Sequence, residues 1–171
     1  MNYAAQQILS HTPIWVWALL AGLIALGLKQ SVDHVVSRGR LLVIPVVLSG
    51  LSLAGAATAF GVHPGVLLAW LLGGAAGMAL QTLLKLPLRA QALEGNRFAV
   101  GGSWLPMSLL LGVFTLRYAV GASIGMNPAL AQITGFALGA SLLYGVMAGL
   151  FAGRALRVLA QAPKAGLPLA A

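Results

Sequence analysis

The chain has 171 residues, of which 60% are hydrophobic and 7% charged, whereas a soluble domain carries roughly 25% charged residues. Ten basic and two acidic residues cannot cover the surface of a water-soluble fold of this size, and disorder is excluded because disordered chains are poor in apolar residues. The net charge of +8 is not a nucleic-acid signature, since the basic residues lie scattered between apolar runs with no aromatic-interleaved basic stripe.

The partner this implies is the lipid bilayer, with no nucleic acid. Cysteine is absent, which removes thiolate chemistry and cysteine-based metal sites. Residues 1–11 contain no Lys or Arg, so the first apolar run reads as a retained span and not as a signal peptide. Asn2 after the initiator Met does not fit N-myristoylation, and no Cys is present to prenylate.

A transmembrane helix needs about 20 apolar residues. The first predicted span covers about residues 12–29, opening on Thr12 as N-cap with Pro13 behind it and Trp15 and Trp17 as interfacial aromatics. The second covers 41–60 and contains Pro45, and the third covers 64–84 after the breaker run Gly61-Val62-His63-Pro64-Gly65. Residues 85–103, with Pro87, Glu94-Gly95-Asn96-Arg97 and Gly101-Gly102, read as the longest loop. The fourth span covers 105–124 behind Trp104 and with Pro106 in its first turn. Gly125-Met126-Asn127-Pro128 reads as a turn, and the fifth span covers 129–153. Residues 1–162 thus form a single transmembrane domain, with 163–171 as a short flexible tail.

The runs are continuously apolar and lack the ten-residue alternation of a membrane barrel. The fold class is therefore all-α, an integral membrane bundle of five helices. Basic residues fall after span one (Lys29, Arg38, Arg40), after span three (Lys85, Arg89, Arg97) and after span five (Arg154, Arg157, Lys164). Five spans put all of these on one side, so the positive-inside rule predicts the N-terminus outside and the C-terminus inside.

Twenty-two glycines imply close helix packing, because small residues let membrane helices approach. Gly73 and Gly77 have GxxxG spacing, and Gly135, Gly139, Ser141, Gly145, Gly149 and Gly153 read as one small-residue ridge on the fifth span. That ridge serves either packing within the chain or a homo-oligomer seam. A weak inverted repeat can be drawn between Pro13/Trp15 and Trp104/Pro106, although interface anchoring explains both pairs more simply.

Both carboxylates, Asp33 and Glu94, fall in predicted loops. Proton-coupled carriers need an ionisable group within the membrane, and a carboxylate-pair hydrolase needs two acidic groups together, so no enzymatic activity is expected and no cofactor is implied. Arg117 is the conspicuous residue. It lies twelve positions into the fourth span, about 18 Å deep at 1.5 Å per residue, where a basic residue costs about 2.5–3.5 kcal/mol. Two readings stand: Arg117 snorkels to the outer interface, or it meets an anionic ligand along a pathway. Tyr118, Gln132 and Tyr144 complete the ligand or pathway candidates. No metal site is assigned; His11 and His63, both predicted on the outer side, are weak candidates for a two-imidazole site.

The phrases Gly102-Ser103-Trp104-Leu105-Pro106 with Phe114 and Arg117-Tyr118, Tyr144-Gly145 with Gly149, Phe151, Gly153 and Arg154, and the opening His11-Thr12-Pro13 with Trp15 and Trp17 together resemble a family of small bacterial multi-pass inner-membrane proteins of unknown function. The resemblance covers nearly the whole chain and implies the fold and the bacterial inner membrane, but no activity. In that family the fourth-span basic residue is often Lys and the residue before Gly102 often Pro, so Arg117 and Gly101 depart from its pattern. The sequence favours an interaction or assembly role in the inner membrane, motivated by the glycine ridge. The alternative is a small transporter or channel for an anionic or amphiphilic solute using Arg117.

Overall fold

A computed structural model describes residues 14–84, 90–93 and 97–160. The described residues form five long helices, α1 (Ile14–Ser31), α2 (Arg38–Phe60), α3 (Pro64–Leu83), α4 (Leu105–Met126) and α5 (Thr134–Ala160). Strands β1 (His34–Ser37), β2 (Ala90–Leu93) and β3 (Arg97–Val100) and a 3-10 helix, Pro128–Gln132, lie between them. Helices α2 to α5 are long and apolar enough to cross a membrane. Their outward faces carry exposed Val43, Val47, Leu68, Leu72 and Leu143, the inverse of a water-soluble surface. This is a helical membrane protein.

Local chemistry sets the helix ends. Ser37 caps α2 by accepting from the Arg40 N–H. At the far end Gly61 takes φ 80° and donates its N–H to the Ala57 carbonyl, a positive-φ conformation that glycine adopts at low cost. Pro64 then opens α3 at its first position. The α2–α3 connection and the α4–α5 connection define one end of the bundle, the turn end. The strands define the other, the sheet end.

Helix α5 is the hub. Half of its most apolar stretch is buried, against 11% for α2. Its closest partner is α3, which runs parallel to it: Gly145 lies against the Trp70 carbonyl, Gly149 against that of Gly74, and Gly153 against Met78 and Gln81. From the other side, Gly73 lies against the Leu142 carbonyl and Gly77 against that of Val146. A Cβ at any of the first two or last two would overlap a main-chain oxygen, so the seam closes backbone to backbone. Helix α1 runs against α4, with Gly27 near its end meeting Met107 near the start of α4. Leu109, Leu110, Leu150 and Phe151 form one apolar cluster, with Leu23, Leu48, Val113 and Met147 packed on it. A second, nearer the turn end, joins Ala56, Phe60, Val66, Val120, Ala137, Ala140 and Tyr144.

Three sequence expectations change. First, the stretch read as the longest loop holds two strands, and the residues after span one hold a third; β3 pairs antiparallel with both, in the order β1-β3-β2. Val36 stands opposite Phe98 and His34 opposite Val100. The inward Val36, Phe98 and Val100 pack on Val158, with Leu41 and Leu159 at their margin, so the sheet covers the sheet end of α5. Second, the helix limits shift: α2 begins at Arg38, and α5 begins at Thr134 after the 3-10 helix and continues to Ala160. Third, the proposed glycine ridge is two faces and not one. Ser141, Gly145, Gly149 and Gly153 are all buried, whereas Gly135 and Gly139 are exposed with open space where a Cβ would stand. The step from Gly139 to Ser141 is two residues, about 200° around a helix of 3.6 residues per turn.

Candidate functional site

Helix α4 packs through a stripe that includes the buried Pro106, Leu110 and Val120 and the partly buried Val113 and Ile124. Arg117 stands in this stripe, three residues before Val120 and four after Val113, yet it is exposed. Its exposure sets it apart from the other residues of the stripe. The side chain crosses to α2. Its Nη1–H donates to the Leu51 carbonyl at 3.3 Å, and its guanidinium fills the space beside Gly55, where a Cβ would overlap Nη2. Leu51 and Gly55 both lie more than a helical turn inside the end of α2 at Phe60. The guanidinium thus lies across the gap between α4 and α2, level with Leu51 and Gly55.

Beside it, three helices meet through polar groups. Trp70 of α3 donates its Nε1–H to Ser52 Oγ of α2 at 3.1 Å, and the Ser52 hydroxyl donates to the Tyr144 carbonyl of α5 at 2.9 Å. Tyr144 is buried at 5% exposure. Of the four pathway candidates, Tyr144 therefore joins the junction next to Leu51 through its backbone carbonyl, and Arg117 reaches the same stretch of α2 through its side chain. Tyr118 lies on a neighbouring strip of α4 with its ring stacked on Phe114, centroids 6.2 Å apart and planes at 11°. Gln132 is exposed at the end of the 3-10 helix, beyond α4.

Asp33 Oδ1 accepts from the Gly102 N–H at 2.6 Å at the sheet end, and Glu94 lies outside the described residues. A guanidinium offers five donors in a fixed fork suited to carboxylate and phosphate. With no carboxylate bonded to it among the described residues, such a fork is chemically suited to an anion. For the weak metal candidates, His63 forms the residue before α3 and His11 lies outside the described residues. Among the described residues no three His, Cys, Asp or Glu side chains come together.

A second polar feature lies near the sheet end of α3. Gln81 is fully buried, and neither its Nε2 nor its Oε1 has a hydrogen-bond partner among the described residues. Its backbone carbonyl accepts from Arg157 Nη1 at 3.0 Å, and Arg154 is buried beside the same end of α5. Gly55 and Ser52 are the site residues that sequence reasoning missed. Neither sits in a spaced motif, and only the position of Arg117 across the interhelical gap gives them their meaning.

No curated protein and no solved structure matches the chain. A family model described as a family of unknown function (DUF6622) matches residues 3–167, and the chain belongs to that family.

Proposed function

We propose that this protein is a five-span protein of a bacterial inner membrane, sheet end in the cytoplasm, that binds an anionic solute or the anionic group of an amphiphile at Arg117 as the binding step of transport. The observation that carries this reading is the exposed guanidinium on the core-facing stripe of α4, seated against Gly55 and Leu51. The orientation is supported by charge. Arg38, Arg40, Arg97, Arg154 and Arg157 all belong to the sheet end, while residues 61–63 and 125–133 carry no charged side chain. The span added to the four longer helices is α1, whose 18 residues reach about 27 Å at 1.5 Å per residue, close to the hydrocarbon thickness.

Assembly through the fifth span is the second reading. Gly145, Gly149 and Gly153 are used against α3, so this reading now rests on the exposed Gly135 and Gly139 alone. That is why the anion-binding reading takes precedence. The test is thermal unfolding of purified protein with chloride or inorganic phosphate replacing gluconate at constant ionic strength, because a ligand that binds only the folded state raises its stability. Stabilisation in the parent chain that is lost in Arg117→Gln and kept in Arg117→Lys is the expected result. Equal behaviour of the parent chain and Arg117→Gln removes the reading.

A further inference from the structure

Arg38, Arg40 and Arg97 gather at one corner of the sheet end. Ser37, the residue that caps α2, stands opposite Arg97 in the β1–β3 register, and Arg38 and Arg40 are the first and third residues of the helix. All three arginines are exposed, and none of their side chains makes a hydrogen bond or ion pair among the described residues. Asp33 stands four residues before Ser37, about 13 Å along the strand at 3.3 Å per residue, and its Oδ1 is engaged by the Gly102 N–H. The first turn of α2 holds no acidic residue. Glu94, outside the described residues, is one negative charge against three positive.

The positive-inside rule asks only that cations lie on this side of the membrane. It does not call for two of them at the amino end of a helix, where the macrodipole disfavours positive charge. An anion at this corner offsets both that cost and the repulsion among the three guanidinium groups. The corner is approached from two sides. Arg38 lies three residues before Leu41, which packs on the cluster beneath the sheet, so Arg38 shares the sheet side with Arg97. Arg40 lies on the lipid side. It heads a file with Val43, Ile44 and Val47 at i+3, i+4 and i+7, all exposed, while Leu41, Pro45 and Leu48 on the opposite face are buried or partly buried. A cation at the head of an unbroken aliphatic file matches a phospholipid, with phosphate above and acyl chain below. A free phosphate would use the arginines and leave the file unused.

We propose that Arg38, Arg40 and Arg97 bind the headgroup phosphate of an anionic phospholipid in the leaflet at the sheet end, with an acyl chain along Val43, Ile44 and Val47. This site is separate from Arg117 and does not depend on it.

The test uses the whole chain, purified in a neutral detergent and equilibrated with equal amounts of phosphatidylglycerol and phosphatidylcholine. Both lipids carry the phosphate, and only the first has a net negative charge. Lipid retained after washing is measured by mass spectrometry. The parent chain is expected to retain phosphatidylglycerol at least about tenfold over phosphatidylcholine. Arg40→Gln is expected to lower that preference about fivefold, equivalent to about 1 kcal/mol for one arginine at an anionic surface. Arg40→Lys keeps most of it, and Arg38→Gln and Arg97→Gln each reduce it. Lys164→Gln, which removes one positive charge beyond α5, leaves it unchanged.

Equal retention of the two lipids by the parent chain overturns the proposal, whether or not the glutamine variants fold. An unchanged preference in all three arginine variants overturns it too. An equal drop in Lys164→Gln would make the preference a property of net charge and remove the site. Release of the retained phosphatidylglycerol by inorganic phosphate at constant ionic strength would assign the corner to free phosphate and overturn the lipid as its occupant.

Discussion

The guanidinium of Arg117 occupies the space in which residue 55 would carry its Cβ. Helices α2 and α4 can therefore hold the cation at this depth only while residue 55 is glycine. The displaced group is the far end of a flexible side chain and not backbone, so the fold survives a small substitution while the position of the cation does not. Gly55→Ala is expected to leave the protein folded and to weaken anion-induced stabilisation by about tenfold in affinity, equivalent to about 1.4 kcal/mol. Gly50→Ala, on the same helix with open space at its Cβ, is expected to bind as the parent does. Unaltered binding in Gly55→Ala would show that the seat at Gly55 is irrelevant to the site.

The two faces of α5 make opposite predictions for the same substitution. At Gly145 and Gly149 a methyl group would overlap the main-chain oxygens of Trp70 and Gly74, which cannot move without parting α3 from α5. Each Gly→Ala change there is expected to cost about 1–3 kcal/mol, the usual range for overpacking. At Gly135 and Gly139 the same change meets open space and is expected to fall within about 0.5 kcal/mol of the parent. Thermal unfolding in detergent separates the pairs, and a comparable loss at Gly139 would mean that this face is covered in the solution state.

Much of the fold was legible because lipid makes a simple demand. Every span must satisfy its backbone internally and be apolar for about 20 residues, so Leu41 to Phe60 and Pro64 to Leu84 could be separated by one breaker run. The sheet was not legible. Its strands are four residues long, and among the described side chains Val36, Phe98 and Val100 are the buried ones, too few for alternation to stand out from a polar loop. What stabilises them is Val158 on a distant helix, which no local pattern reveals. The candidate site was half legible. A lone Arg inside an apolar run is conspicuous on energetic grounds, whereas its neighbours Gly55, Ser52 and Trp70 carry ordinary membrane chemistry until the helices are set side by side. The glycine ridge misled by spacing, since one two-residue step turns a continuous file of small residues into two faces.

Ser52 is the joint between α2, α3 and α5, accepting from Trp70 and donating to the Tyr144 carbonyl. Hydrogen bonds between membrane helices average about 0.6 kcal/mol, so Ser52→Ala is expected to cost on the order of 1 kcal/mol. A double-mutant cycle with Trp70→Phe isolates the Ser52–Trp70 bond, with an expected coupling of about 0.6 kcal/mol. Additivity of the two substitutions would mean that the bond contributes nothing in the membrane.

Gln81 makes the least intuitive prediction, that removing a polar group strengthens the protein. Its side chain is fully buried with both amide atoms unpartnered among the described residues, and an unsatisfied buried group costs about 1–3 kcal/mol. Its Cβ and Cγ are useful, since they meet the close approach of Gly153 at 3.1 and 3.3 Å from the position of a Cβ there. Methionine keeps those two carbons and a similar volume while deleting the amide, and a volume-conserving exchange of this kind adds little strain. The bond from Arg157 goes to the backbone carbonyl of residue 81 and survives the change. Gln81→Met is therefore expected to raise the unfolding temperature, by an amount corresponding to about 1 kcal/mol or more. A fall in unfolding temperature would instead mean that the amide is satisfied in the membrane, by an ordered water or by residues outside those described, and that the buried end of the α3–α5 seam depends on it.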